Sequence, residues 1–167
     1  MKRTIAIVAG GDSSELVVSL RSAQGLYSFI DKERYNLYIV EMEGHRWEVV
    51  LPDGSKTPID RNDFSFMENG EKKQFDFAYI TIHGTPGENG ILQGYFDLLG
   101  IPYSSCNVLV SAMTFNKFTC NQYLKGFGIR VAESLILRKG FEITDEEVEA
   151  ATYARGSQDM PDRDVVA

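Results

Sequence analysis

The sequence is poor in the residues that usually announce a chemistry. Its 167 residues include two cysteines and two histidines. Cys106 and Cys120 lie too far apart for a Cys-x-x-Cys motif, and with only His45 and His83 beside them no set has structural-zinc spacing. No metal site is expected within the chain, and both cysteines read as buried free thiols that pack as small hydrophobes. Long apolar runs are also missing: none approaches about 18 residues, which argues against a membrane span. Met1-Lys2-Arg3-Thr4 leads straight into an apolar strand rather than into a signal-peptide core, so a cytoplasmic location is expected. Basic charge is in deficit, with 17 Lys and Arg against 24 Asp and Glu, a net −7, and no Lys/Arg cluster. That argues against nucleic acid or an anionic membrane as the main partner and favours a small-molecule ligand. Two catalytic signatures are absent as well. Gly10-Gly11-Asp12-Ser13-Ser14-Glu15 lacks the G-x-G-x-x-G spacing of a dinucleotide site, and there is no G-x-S-x-G to make Ser13, Ser14 or Ser19 a nucleophile.

What is present is an ordinary globular composition, 43% hydrophobic and 25% charged, on a chain long enough for one domain or for one domain and part of another. The stretch around which the rest is arranged is His83-Gly84-Thr85-Pro86-Gly87-Glu88-Asn89-Gly90-Ile91-Leu92-Gln93-Gly94. It follows the apolar run Phe75 to Ile82 and leads into Ile91 to Leu99, so it reads as a loop between a buried strand and a helix. Its glycines let backbone approach a ligand closely, while His83 and Glu88 set a titratable ring and a carboxylate on one loop. The alternative is a plain strand-to-helix turn in which Glu88 or Asn89 caps the helix.

Upstream, Thr4 to Ala9 reads as a strand buried on both faces, ended by Gly10-Gly11. Asp12, Ser13 and Ser14 are candidate caps for a helix with apolar positions Leu16, Leu20, Ala23, Tyr27 and Ile30. Glu15 falls in its first turn, where the helix dipole favours a carboxylate. Tyr35 to Glu41 supplies the next strand and closes a βαβ unit. Residues 43–74 are polar and turn-rich. Trp47 to Leu51 and the turn Pro52-Asp53-Gly54 suggest an inserted hairpin that Trp47, Phe64 and Phe66 fold back on the sheet. After the His83 loop, Gly100 stops the helix, and Ile101-Pro102-Tyr103 reads as an edge strand. Val108 to Met113 is short and apolar, and Thr114 or Asn116 begins a helix through Leu124 ended by Gly126 and Gly128. Lys117 lies in the first turn of that helix, either near a ligand anion or in solvent. Ile129 to Arg138 reads as a strand, and Thr144-Asp145-Glu146-Glu147 as a capping box opening a short helix. In an open parallel sheet, ligands bind outside the carboxyl ends of the strands. Both Gly10 to Glu15 and His83 to Asn89 leave strands at that end, so they are expected to face one another.

Four segments together resemble the D-alanine–D-alanine ligase family in order and spacing: Gly10 to Leu20, His83 to Gly94, Gly100-Ile101-Pro102-Tyr103, and Ser111 to Lys117. The resemblance spans about residues 4 to 150, and the His-Gly-x-x-Gly-Glu-x-Gly-x-x-Gln-Gly segment makes it specific. It implies an α/β fold: a Rossmann-like, pre-ATP-grasp substrate domain with a parallel sheet over residues 1–106, then the start of an ATP-grasp domain over 107–150. It implies a ligase that phosphorylates the carboxylate of one D-alanine with ATP and lets the amine of a second attack the acyl phosphate, for peptidoglycan precursors. Glu15 would hold the first ammonium, His83 would lie by its carboxylate, and Val18, Gly84 and Glu88 would line the substrate. Lys117 would touch ATP phosphates, with magnesium ligands lying outside this chain. Members are often homodimers. The family usually has Asp where this chain has Asn89 and Asn116, and a second Lys where it has Asn121. Residues 151–167 carry none of the family's later motifs and read as a disordered or foreign tail. The chain as written is expected to be inactive alone, and a non-catalytic α/β binding or assembly module derived from such a ligase is the competing reading.

Overall fold

Alternation along the first strand decides what each face of the sheet carries. The computed structural model describes residues 2–134, 136 and 144–146. Its described elements run β1 (Arg3–Gly10), α1 (Leu16–Phe29), β2 (Tyr35–Glu43), β3 (Arg46–Val50), β4 (Lys56–Asp60), β5 (Ser65–Glu68), β6 (Glu71–Lys73), β7 (Phe77–Ile80), α2 (Ile91–Leu99), α3 (Val108–Phe115) and α4 (Lys117–Gly126). Ala6 and Val8 of β1 enter one hydrophobic cluster while Ile7 and Ala9 enter another, as a period of two requires. β1 pairs in parallel with β2 on one side and with β7 on the other, and all four of these side chains are fully buried.

One face is closed by α1. Ala23 is fully buried against Ile7, Ala9 and Ile39, and Leu20, Leu26, Tyr27 and Ile30 pack around it, which is the apolar stripe expected from the spacing. The other face is closed by the ribbon β3–β6 and by α2. The sheet contains the parallel core expected, β2-β1-β7, and the ribbon extends it beyond a purely parallel one. It is mixed, in the order β6-β5-β4-β3-β2-β1-β7, with the four added strands antiparallel. The short turns from β2 through β6 impose this, since a parallel pair needs a crossover of about a dozen residues or more.

Strand order and chain length together force a curl. A flat seven-stranded sheet would hold β6 and β7 about 28 Å apart at the usual spacing of about 4.7 Å. Only Gln74, Phe75 and Asp76 separate them, and such a stretch reaches about half that distance when extended. The ribbon therefore folds back over the sheet, as expected from its aromatics. Phe66 of β5 stacks on Phe75 at 5.1 Å between ring centroids and meets Tyr38 of β2 edge-on at 4.9 Å. Phe64 lies against Phe96 of α2 at 4.9 Å, and Trp47 against Tyr95 at 5.3 Å. Phe64, Phe66 and Phe96 are all at most 2% exposed, and each burial stabilises the fold by about 1.5–3 kcal/mol.

Other expectations are met or corrected locally. α2 spans Ile91–Leu99 and stops at Gly100 in the left-handed region, as read. Ile101-Pro102-Tyr103 does not form a full edge strand: it contributes one parallel bridge, Ala78 to Tyr103. Val108–Phe115 is a helix in its own right, α3, and Asn116 then caps α4 by accepting the Thr119 N–H at 2.9 Å. Ile129 to Ser134 and Ile136 adopt no strand, and the remainder of that run lies outside the described residues. Asp145 and Glu146 are helical, whereas Glu147 and the 151–167 tail also lie outside them. The cysteines are free but not buried: Cys106 is exposed and Cys120 partly so. Cys106 sits in the turn before α3, where its carbonyl accepts the Ser111 hydroxyl at 3.1 Å while the thiol faces water. The backbone falls into two compact units, Met1–Phe115 and Asn116–Ala167. No helix among the described residues is long and apolar enough to cross a membrane.

Candidate functional site

Because β1 and β7 are parallel neighbours, the segments that leave their carboxyl ends emerge at the same edge of the sheet. The first, residues 10–15, is pinned on three sides. Gly10 has φ +104, and a Cβ there would stand 2.2 Å from the Met42 carbonyl oxygen, so only glycine fits against the end of β2. Gly11 N–H donates to that same oxygen at 2.8 Å. Asp12 was a candidate helix cap. Instead its carboxylate accepts the Gly44 N–H at 2.8 Å and its own N–H donates to the Thr85 carbonyl at 3.0 Å. From below, the buried Ser19 hydroxyl accepts the Gly10 N–H at 3.0 Å.

The helix consequently starts later than the sequence suggested. Glu15 is the N-cap residue of α1, not a first-turn residue, and no side chain caps the helix. Its carboxylate is exposed and has no hydrogen bond or ion pair among the described residues. Val18, one turn into α1, is 52% exposed on the same helix end.

The second segment, residues 81–90, closes on itself. Gly84 has φ +74, its N–H donates to the Glu88 carboxylate at 2.7 Å, and the Glu88 N–H returns to the Gly84 carbonyl at 2.8 Å. Glu88 thus shapes the loop directly, with its own carboxylate occupied by backbone. Asn89 accepts the Ile91 N–H at 3.3 Å and donates to the Thr85 hydroxyl at 3.0 Å, a donation an aspartate there does not make. His83 is half-buried, and its imidazole has no hydrogen-bond partner among the described residues.

The two segments touch. Asp12 bonds Thr85, and Ser13 bonds the His83 carbonyl, so Glu15 and His83 occupy adjoining loops at one edge of the sheet. A carboxylate and an imidazole on adjoining loops, neither of them paired among the described residues, are groups a zwitterionic small molecule could use: one takes a cation and the other meets an anion. Lys117 belongs to the second unit. It is the first residue of α4, exposed and without an ion pair among the described residues. In the same unit Asn121 donates to the Ser134 hydroxyl at 2.7 Å.

Reading the sequence missed Gln93. It is fully buried in α2, its amide donates to the Gly87 carbonyl at 2.5 Å and to the Ser105 hydroxyl at 2.9 Å, and it ties the His83 loop to the segment that precedes α3. The signal was available, since Gln93 interrupts the apolar face Leu92 and Phe96 at a position no solvent-facing residue would hold. A depression on β4–β6, lined by Ile59, Asp60, Ser65, Phe66, Met67 and Lys72 among others, includes none of these residues.

Residues 4–106 match the family model described as D-ala D-ala ligase N-terminus. The chain belongs to this family. It is 74% identical over 148 residues to a D-alanine--D-alanine ligase of Bacteroides fragilis, which covers 89% of this chain and 46% of that protein. The structure resembles a D-alanyl-alanine synthetase A from Vibrio cholerae with a TM-score of 0.75 and 31% identity, over 93% of this chain and 45% of that one. A D-alanine--D-alanine ligase from Bacillus anthracis, solved in complex with ATP, matches with a TM-score of 0.68 and 27% identity over 90% of this chain and 43% of that one. The chain therefore spans about half the length of the curated relatives it matches. A second family model, described as dehydratase large subunit, matches residues 129–167.

Proposed function

We propose that this chain is the substrate-holding N-terminal portion of a cytoplasmic ligase that joins two D-alanine molecules at the expense of ATP, for peptidoglycan precursor synthesis. The observation that carries the reading is the direct contact between the Glu15 and His83 loops at the carboxyl edge of the sheet, each bearing a side chain without a partner among the described residues. In this reading Glu15 receives the ammonium of the first D-alanine and His83 lies against its carboxylate. Val18 offers an apolar contact beside Glu15. Gly84 leaves room for backbone to approach the ligand, and Glu88 holds Gly84 in place. ATP supplies the phosphoryl group that activates a carboxylate, and Lys117 is the described cation assigned to its phosphates. No group of three His, Cys, Asp or Glu among the described residues is placed to hold a metal ion, so magnesium is assigned no residue here.

The domain boundaries belong to the same proposal: a substrate domain over 1–106, the opening of an ATP-grasp domain over 107–150, and a tail over 151–167 foreign to the ligase. Support for the first boundary comes from a family match that ends at residue 106, and for a ligase-like segment after it from the 148 residues aligned with the Bacteroides fragilis ligase, whereas the dehydratase-type match begins at 129, inside that segment. A homodimer, frequent in the family, completes the reading. The share of the relatives that is covered, 46%, favours a second statement, that the chain by itself binds without turning over. Phosphate release with ATP, magnesium and D-alanine tests both. Activity near background is expected for the chain and for Glu15→Gln alike, whereas robust turnover abolished by Glu15→Gln would show that these 167 residues contain a whole active site.

A further inference from the structure

The bridge between the two loops passes through one hydroxyl group. Ser13 Oγ donates its proton to the His83 carbonyl at 2.9 Å and accepts the Glu15 N–H at 3.2 Å. A serine two residues before an N-cap would ordinarily be read as serving the helix, yet α1 has no side-chain cap. The hydroxyl is instead divided between the backbones of the two residues that carry the proposed chemistry. Its surroundings are fitted to that use. A Cβ at position 84 would stand 3.2 Å from Ser13 Cβ, so the glycine after His83 is what lets the serine approach. The neighbouring bond, from Asp12 N–H to the Thr85 carbonyl, is backbone to backbone and holds the loops together whatever residue 13 is.

We infer that Ser13 is a positioning residue, whose hydroxyl sets Glu15 and His83 relative to one another and thereby sets the affinity for the amino acid they share. Ser13 itself touches no ligand in this account. The inference rests on the proposed roles of Glu15 and His83, but its structural half does not. With Ser13→Ala the Asp12–Thr85 bond keeps the loops docked while the Glu15 amide and the His83 carbonyl lose their common partner. With Ser13→Thr a hydroxyl is restored at the same branch point.

The test uses the isotope-labelled chain and three readings by NMR and thermal melting: hydrogen exchange of the Glu15 amide, affinity for D-alanine, and Tm. Loss of one shared hydrogen bond is expected to speed exchange at Glu15 and to weaken D-alanine binding by about three- to tenfold each, with Tm shifted by only a few degrees. Ser13→Thr should return both to within about twofold of the parent, as a positioning role requires. Unchanged exchange at Glu15 in Ser13→Ala overturns the inference, as does a collapse of Tm that Ser13→Thr repairs without repairing affinity. If the parent chain shows no D-alanine binding at all, the assignment of substrate to this chain fails, and the Glu15 exchange rate still decides whether Ser13 couples the loops.

Discussion

The two halves of the sheet divide the work between them. The parallel half, β2-β1-β7, carries short loops, glycines under tight contact and side chains left without partners. The antiparallel half, β3–β6, carries the aromatic mass and the ion pairs. Phe64 alone meets the rings of Trp47, Phe75, Tyr95 and Phe96. Glu68, 9% exposed, takes a hydrogen bond from Tyr38 at 3.0 Å and pairs with Lys73, whose ammonium it holds above the ordinary lysine range. Glutamate and lysine here satisfy each other, whereas Glu15 and His83 in the other half wait for something else. Unpaired groups are tolerated at one edge because burial at the other supplies the stability.

That division is open to attack, and the largest effect is expected in the ribbon. Phe64→Ala should lower unfolding free energy by about 3–5 kcal/mol in urea titrations, while Glu15→Gln, an exposed change, stays within about 0.5 kcal/mol. A single cooperative transition for the variant would show that ribbon and parallel core melt together. Two transitions would separate them and break the comparison. A smaller loss, about 1–3 kcal/mol, is expected for Lys73→Met, which leaves the Glu68 carboxylate with only the Tyr38 hydroxyl. The side chain of Lys73 is 36% exposed, so the loss stays below that of a fully buried pair. The double change Lys73→Met with Glu68→Leu should recover most of it, since removing both charges leaves none unpaired.

The smallest effect concerns alkaline pH. Burial, with Asp63 and Asp60 nearby, pushes the Tyr95 phenol up from 10.0 to about 12. A folded value above the unfolded one means that the stabilisation is fully present below pH 10.0 and is lost as pH rises toward about 12. Tyr95→Phe removes that dependence together with the hydrogen bond to the Arg61 carbonyl at 2.8 Å, at a cost of about 1 kcal/mol near neutrality. Melting temperatures of both proteins followed from pH 9 to 12 should converge at the alkaline end. Parallel curves would mean that Tyr95 does not titrate with folding.

How much of this was legible depended on whether the deciding partner was local. α2 could be bounded to the residue because Gly90 and Gly100, its two left-handed neighbours, flank it in sequence. Asn116 was readable as a cap for the same reason, its partner Thr119 being three residues away. The antiparallel pairing of β3 with β4 was readable from the turn Pro52-Asp53-Gly54 between them, whereas the direction of β5 and β6 depends on connections that carry no such signal. Ser13 was read as a helix cap since that is what a serine does locally. Its actual acceptor, the His83 carbonyl, lies 70 residues on. The exposure of Cys106 likewise follows from the turn in which it stands, although cysteine as a residue type is commonly buried.

The placing of β1 at the centre of the parallel half has a consequence in time. It leaves the ribosome before both of its neighbours, which follow at Tyr35 and Phe77. The Thr4 N–H meets the Asp76 carboxylate at 2.7 Å across 72 positions of chain. At usual rates of synthesis that gap is on the order of several seconds, during which one edge of a strand of Ile, Ala and Val stands unpaired. Non-local pairing of this kind slows folding and exposes the nascent chain to association with its copies. The edge to which Glu15 and His83 owe their meeting is thus the last seam of the sheet to close.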